Sequence, residues 1–366
     1  MQLLDPQPIQ LATIPEALHT SLQDIVNKIQ IESRFCIRHP DYKSLEVPAE
    51  TLPRFQQLPS DVQNKYLNAQ LSNFLYGIYY NGSLKSALAL DGETTNLPVN
   101  QNLENNTFLG VDVVFYNRLH ESNKGEGYFS PDWLVVKEES DGAFAVHKGG
   151  LTLHIDRTKH LRSPDEVVAV GNQVAIKLPK NLVQNGFYMA VSNAGSYSGE
   201  NIVRVYFNLT TDGAVAVMES LTTQLNAINL PFNFKALYNP SDYGRYDSAV
   251  LYFDKNNYAD VHPVLQRVYA EHQSHFLPDV PLFTKLIAPG LAIAEEPNQK
   301  FGEKESFGMN RCQIVANGLI EAWQNYDDSP QGRLASILAQ FSLLEIDLQR
   351  PYLNAKSKDI YPALKL

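Results

Sequence analysis

A change of texture near residue 108 constrains the fold of this chain more than any other feature. Before it, apolar residues recur at helical spacing. Residues 14–31 place Leu18, Leu22, Ile25 and Ile29 on one stripe, and residues 60–80 do the same with Val62, Tyr66, Leu71, Leu75 and Ile78. After it come short runs of β-forming residues cut by Gly, Pro, Asn or Asp: 108–118, 133–138, 143–148, 151–156, 173–178, 186–191 and 202–209. Helical patterns return at 212–227, with Thr211 or Asp212 as cap, and at 257–272, 309–324 and 332–346. The polar stretch 94–106 reads as a boundary. The pattern predicts an α+β protein: a helical N-terminal region over 1–100, then a mainly antiparallel sheet domain with packed helices over 105–366.

Composition removes several classes of function. The chain has 366 residues, a formal net charge of −10, 44% hydrophobic residues and 19% charged ones, so a sizeable core is expected and general nucleic-acid binding is not. Two cysteines, Cys36 and Cys312, imply neither a disulfide framework nor a cysteine metal site. No apolar run reaches the length of a membrane span, and the N-terminus lacks the pattern of a secretory signal; the expectation is a soluble cytoplasmic protein without membrane or nucleic-acid partners. Nucleotide-binding glycine loops, a GxSxG elbow and HExxH are absent. His147, His154 and His160 lie around two predicted strands without a carboxylate at ligand spacing, so no metal is expected there.

The chemistry gathers between Arg204 and Phe253. Arg204 and Tyr206 share one face of a strand, since side chains two apart point the same way. After a helix, Lys235 sits among Phe232, Phe234 and Leu237; Arg245 follows, then a strand carrying Tyr252. A cation, a proton donor, an amine among apolar neighbours and a second cation are the parts needed to remove phosphate from a carbon chain by β-elimination. Lysine acts as a base only as the neutral amine, a form favoured by apolar surroundings and nearby cations. Arginine stays charged and offers phosphate a planar fork. Each residue also has an ordinary reading. Lys235 fits a surface lysine, Arg204 a partner for Asp247, Tyr206 and Tyr252 half-buried sheet aromatics, and Arg311 a partner for Glu303 or Glu305.

The spacing of these residues resembles that of the bacterial phosphothreonine lyases. Over most of its length the chain more closely resembles the HopA-type type III effector family and the lyase subunits of class V lanthipeptide-type maturation. Further resemblance lies in residues 125–133, 186–192 and 281–297. The resemblance implies Lys235 as catalytic base, Tyr206 as catalytic acid, and Arg204, Arg245, Arg311 and Tyr252 as phosphate contacts. Arg311 is placed at the opening of helix 309–324, where free backbone N–H groups favour an anion. Two departures stand out: Arg replaces Lys, and Tyr replaces His, in the first motif. Second-rank pocket candidates are Tyr188, Lys285, Asn123, Lys124 and Tyr128. The implied function is a phosphoserine/phosphothreonine lyase giving dehydroalanine or dehydrobutyrine in ribosomal peptide maturation. No cofactor is implied; the partners are a phosphorylated precursor peptide and a separate kinase-like protein. The competing reading is a non-catalytic protein- or phosphopeptide-binding module.

Overall fold

The computed structural model describes residues 14–90, 111–163, 168–197, 199 and 201–366. The expected boundary at 100–105 and the polar stretch before it lie outside these residues.

The N-terminal region begins with α1 (Glu16–Lys28), which buries Leu18, Leu22, Ile25 and Val26 along one face. A three-stranded antiparallel sheet follows, β1 (Gln30–Ser33), β2 (Cys36–His39) and β3 (Tyr42–Glu46), in a region expected to be helical. These strands are four or five residues long, too short for their alternation to stand out in the sequence. Then come α2 (Leu52–Gln56) and α3 (Ser60–Leu75). The latter runs straight into a π-helical turn, Tyr76–Tyr80, whose wider winding is uncommon and concentrates at functional sites.

The expected strand at 108–118 is a correction. Among the described residues this stretch is a helix, α4 (Val113–Ser122), capped by the Asp112 side chain accepting from the Phe115 N–H. The run Val113–Val114–Phe115 favours a strand locally, but the cap and the burial of Phe115, Leu119 and Ser122 on one helical face override it. Next, β4 (Tyr128–Glu138), β5 (Phe144–Lys148), β6 (Leu151–Ile155), the short α5 (Arg157–His160) and β7 (Gln173–Leu178) build a four-stranded antiparallel sheet. It has its own small core around Trp133, Phe144, Val146 and Ile176.

The centre of the molecule is a seven-stranded sheet whose paired strands are all antiparallel. Its members are β8 (Asn181–Gln184), β9 (Phe187–Val191), β10 (Ile202–Phe207), β11 (Asn233–Leu237), β12 (Ala249–Asp254), β13 (Lys285–Ala288) and β14 (Leu291–Glu295). The spatial order is β13-β14-β10-β12-β11-β9-β8. Helix α6 (Thr211–Ala227) is capped by Thr210, one residue earlier than the sequence suggested, and packs with α4 and with α7 (Tyr258–His272). The chain closes with α8 (Phe307–Gln324) and α9 (Pro330–Leu343), packed on each other, with α8 also against α3 and the π-helical turn. One apolar core joins the N-terminal helices to the sheet and its helices. No helix among the described residues is long and apolar enough to cross a membrane.

Candidate functional site

Register decides what the sheet presents. Arg204 pairs with Tyr252, Tyr206 with Val250, Lys235 with both Val250 and Met189, and Phe187 with Gln184. Directly paired residues point to the same face, so these side chains form one surface across strands β8 to β12. The residues between them, Val203, Val205, Phe207, Phe234, Leu251 and Phe253, are completely buried on the opposite face. There Phe207 meets Phe234 at 5.4 Å and Phe253 stacks on Tyr258 of α7.

The polar face floors a cavity of about 240 Å³. Arg204, Tyr206, Lys235, Arg245 and Tyr252 all line it, with Gln184, Phe187, Met189, Tyr197 and Val250 from the sheet and Asp247 from the loop that carries Arg245. The remaining wall is Tyr76 and Tyr80 from the π-helical turn, and Lys304 and Ser306 from the entrance to α8. Gly308, in the first turn of that helix, admits this approach: a Cβ there would overlap the Tyr80 ring and come within 2.8 Å of Tyr76 Cε2.

Lys235 is half-buried, its ammonium 4.1 Å from the centre of the Phe187 ring and 5.6 Å from that of Tyr252. It has no hydrogen bond or ion pair among the described residues. Both arginines, by contrast, are held by carboxylates. Arg245 Nε donates to Asp247 Oδ1 at 2.5 Å and its Nη2 to Oδ2 at 2.9 Å. Asp247 also accepts from the Tyr76 hydroxyl at 3.3 Å and Asn81 Nδ2 at 3.4 Å. Arg204 donates through Nε to Glu296, which Lys300 also contacts at 2.6 Å, and its guanidinium lies 5.1 Å over the Tyr252 ring. Burial opposes the charge on Asp247 and Glu296, but the facing guanidinium in each pair outweighs it and holds the carboxyl below its usual range. Glu296 takes the partnership that the sequence offered to Asp247. Each pair fixes a guanidinium by one edge and leaves further N–H groups for a ligand.

Arg311 is elsewhere, and this corrects the expectation. Helix α8 starts at Phe307, so Arg311 lies in its second turn, not at its opening. The side chain is 1% exposed and donates to the carbonyls of Pro351 and Leu353 and to Asn310 Oδ1. It meets neither Glu303 nor Glu305 in a salt bridge, and burial draws its guanidinium pKa down. It pins the C-terminal segment and does not line the cavity. The second-rank candidates also lie outside it. Tyr188 points through the other face of β9 and bonds Asn123 at 3.0 Å and His120 at 3.2 Å. Lys124 pairs with Glu219, and Lys285 with Asp359 at 2.6 Å. Tyr128 sits on β4 beside Gly195.

Sequence reasoning missed Tyr76, Tyr80, Glu296, Lys304 and Ser306, and took Asp247 as a partner for Arg204 when it pairs with Arg245. The capping pattern Ser306–Phe307–Gly308–Met309, with Ser306 Oγ accepting from the Met309 N–H, was a usable signal for the helix start. Nothing local marks the two tyrosines.

Residues 178–353 match the model of the HopA1 effector protein family. That span holds every cavity residue except Tyr76 and Tyr80. Among solved structures, the chain is similar to the effector protein from Pseudomonas syringae pv. tomato strain DC3000, with 17% identity and a TM-score of 0.41 over 69% of this chain and 84% of that one. It is also similar to the effector protein from Pseudomonas syringae pv. syringae strain 61, with 15% identity and a TM-score of 0.41 over 85% of this chain and 99% of that one. No curated protein matches the chain.

Proposed function

We propose that this chain is a phosphoserine/phosphothreonine lyase acting on a peptide that a separate kinase-like protein has phosphorylated, as in lanthipeptide-type maturation. One observation carries the reading: a lysine without a carboxylate partner shares a cavity with two arginines, each held by an acid. In the proposed step the Lys235 amine takes the α-hydrogen. The electron pair left on Cα forms the Cα=Cβ double bond, the Cβ–O bond breaks, and phosphate departs against Arg204 and Arg245. Tyr206 gives its phenolic proton to the leaving oxygen. Tyr252 forms a wall between Arg204 and Lys235. Neither an attacking water nor a metal takes part in such an elimination.

The test is incubation of the purified chain with phosphoserine and phosphothreonine peptides, followed by mass spectrometry. Loss of the elements of phosphoric acid, leaving an alkene, supports the reading; release of phosphate with a restored hydroxyl refutes it. Lys235→Ala should abolish elimination and leave phosphopeptide affinity nearly intact, because the base acts only as the hydrogen moves. Full activity in that variant would end the mechanism.

A phosphopeptide-binding module is the second reading, favoured by the state of Tyr206. Burial pushes its phenol well above the usual value, which makes it a poor acid. Tight phosphopeptide binding without loss of mass selects this reading.

A further inference from the structure

Two buried phenols line the cavity where the N-terminal region meets the sheet. Tyr80 is 1% exposed and Tyr206 is 3% exposed; their hydroxyls face each other beyond ordinary hydrogen-bond length, and neither has another partner among the described residues. Their rings meet edge to face at 6.4 Å, and each lies 6.4 Å from Phe307, the first residue of α8. A buried hydroxyl without a partner is costly, and native proteins keep few of them. The fold nevertheless spends unusual local structure to put Tyr80 there. A π-helical turn delivers it, stacked on Tyr76 at 5.0 Å, and glycine at position 308 makes room for it. Above the phenols stand Ser306, the cap of an eighteen-residue helix, and Lys304, which is exposed and has no ion pair among the described residues. A helix entrance carries partial positive charge and favours an anion.

We propose that Tyr80 and Tyr206 form a two-phenol anion seat in this cavity, with Lys304 as its accompanying cation, and that it takes an oxygen of the substrate's phosphoryl group. This rests on the phosphopeptide reading above and deepens it: Lys304 holds the place expected of Arg311, and the N-terminal region contributes a substrate contact of its own. A neutral phenol donates one hydrogen bond to an anionic oxygen. The arginines grip the outer oxygens, the phenols the inner one.

The probes are inorganic phosphate and a phosphothreonine peptide, tested with the full chain, Tyr80→Phe and Lys304→Gln. Tyr80→Phe keeps the ring that packs on Gly308, so the fold is retained. The readouts are affinity and the rise in Tm that phosphate produces. Each variant should bind phosphate about tenfold more weakly, as loss of one hydrogen bond to a charged group implies, and should lose most of the phosphate-induced rise in Tm. A purely structural Tyr80 would change Tm with and without phosphate by the same amount, and that result overturns the seat. So does native-like phosphate affinity in either variant. If the native chain binds phosphate through Tyr80 but never eliminates it, the seat stands and the lyase reading falls. If the native chain eliminates phosphate and Tyr80→Phe matches it in rate and affinity, the lyase reading stands and the seat falls.

Discussion

The two faces of the seven-stranded sheet are built from alternate residues of the same strands, yet they obey opposite rules. On the face covered by α6 and α7, Val205, Phe207, Phe234 and Leu251 have no exposure at all, and their contribution is packing. On the other face, Arg204, Tyr206 and Lys235 carry polar groups that packing alone does not require. Phe234 and Lys235 are neighbours in sequence and belong to different economies of the fold: one holds the sheet together, the other is held by it. Strand alternation lets a single five-residue segment serve stability and chemistry without compromise between them.

The sharpest way to break this contrast is to truncate those two neighbours. Phe234→Ala should cost about 3–5 kcal/mol, the usual loss for a fully buried aromatic, visible as a lower denaturation midpoint. Lys235→Ala should cost no more than about 1 kcal/mol, the scale of its contact with the rings of Phe187 and Tyr252. Equal losses in urea titrations of the two variants would erase the distinction between the faces.

A smaller effect separates the kinds of charge on the polar face. Asp247→Ala leaves the Arg245 guanidinium, 8% exposed, without its bidentate partner, and should destabilise by about 3 kcal/mol. It should also weaken phosphopeptide binding, because Arg245 is no longer aimed. Unchanged stability would place Arg245 among the dispensable charges. The smallest effect is in the acid limb. Asp247 and Glu296 have carboxyl pKa values lowered by folding, so the stability they confer is present above the unfolded carboxylate range and is lost as pH falls through their depressed folded values. Urea midpoints followed downward from neutral pH should therefore fall, and less steeply in Asp247→Asn than in the native chain. Parallel curves would mean that this pair carries no pH-linked stability.

Much of the α+β fold and half of the site were legible in the sequence, for a physical reason that also explains the rest. Alternation places Arg204 beside Tyr206, and antiparallel pairing brings Tyr252 and Lys235 to the same face; both follow from the two-residue repeat of a strand. Helix 309–324 was legible too, but its start was set two residues late, and that error put Arg311 at an anion-binding end it does not occupy. The run at 113–115 read as a strand because β-branched propensity is local, whereas the Asp112 cap and the packing of α4 are not. Tyr80 was illegible altogether. Its place depends on an extra-wide turn and on a glycine near the far end of the chain, and no pattern within its own neighbourhood encodes either.

That dependence has a kinetic consequence. The cavity wall needs the Tyr76–Tyr80 turn, made early in synthesis, and the entrance to α8, made late. Until α8 emerges from the ribosome the two phenols lack Phe307 as a neighbour, and the cavity lacks the wall that Lys304 and Ser306 supply. Contacts between segments so distant in sequence form slowly, because the intervening chain must first be ordered. The pocket is thus one of the last features to be completed as the chain folds, and a growing polypeptide can carry every sheet residue of the site before it has a site at all.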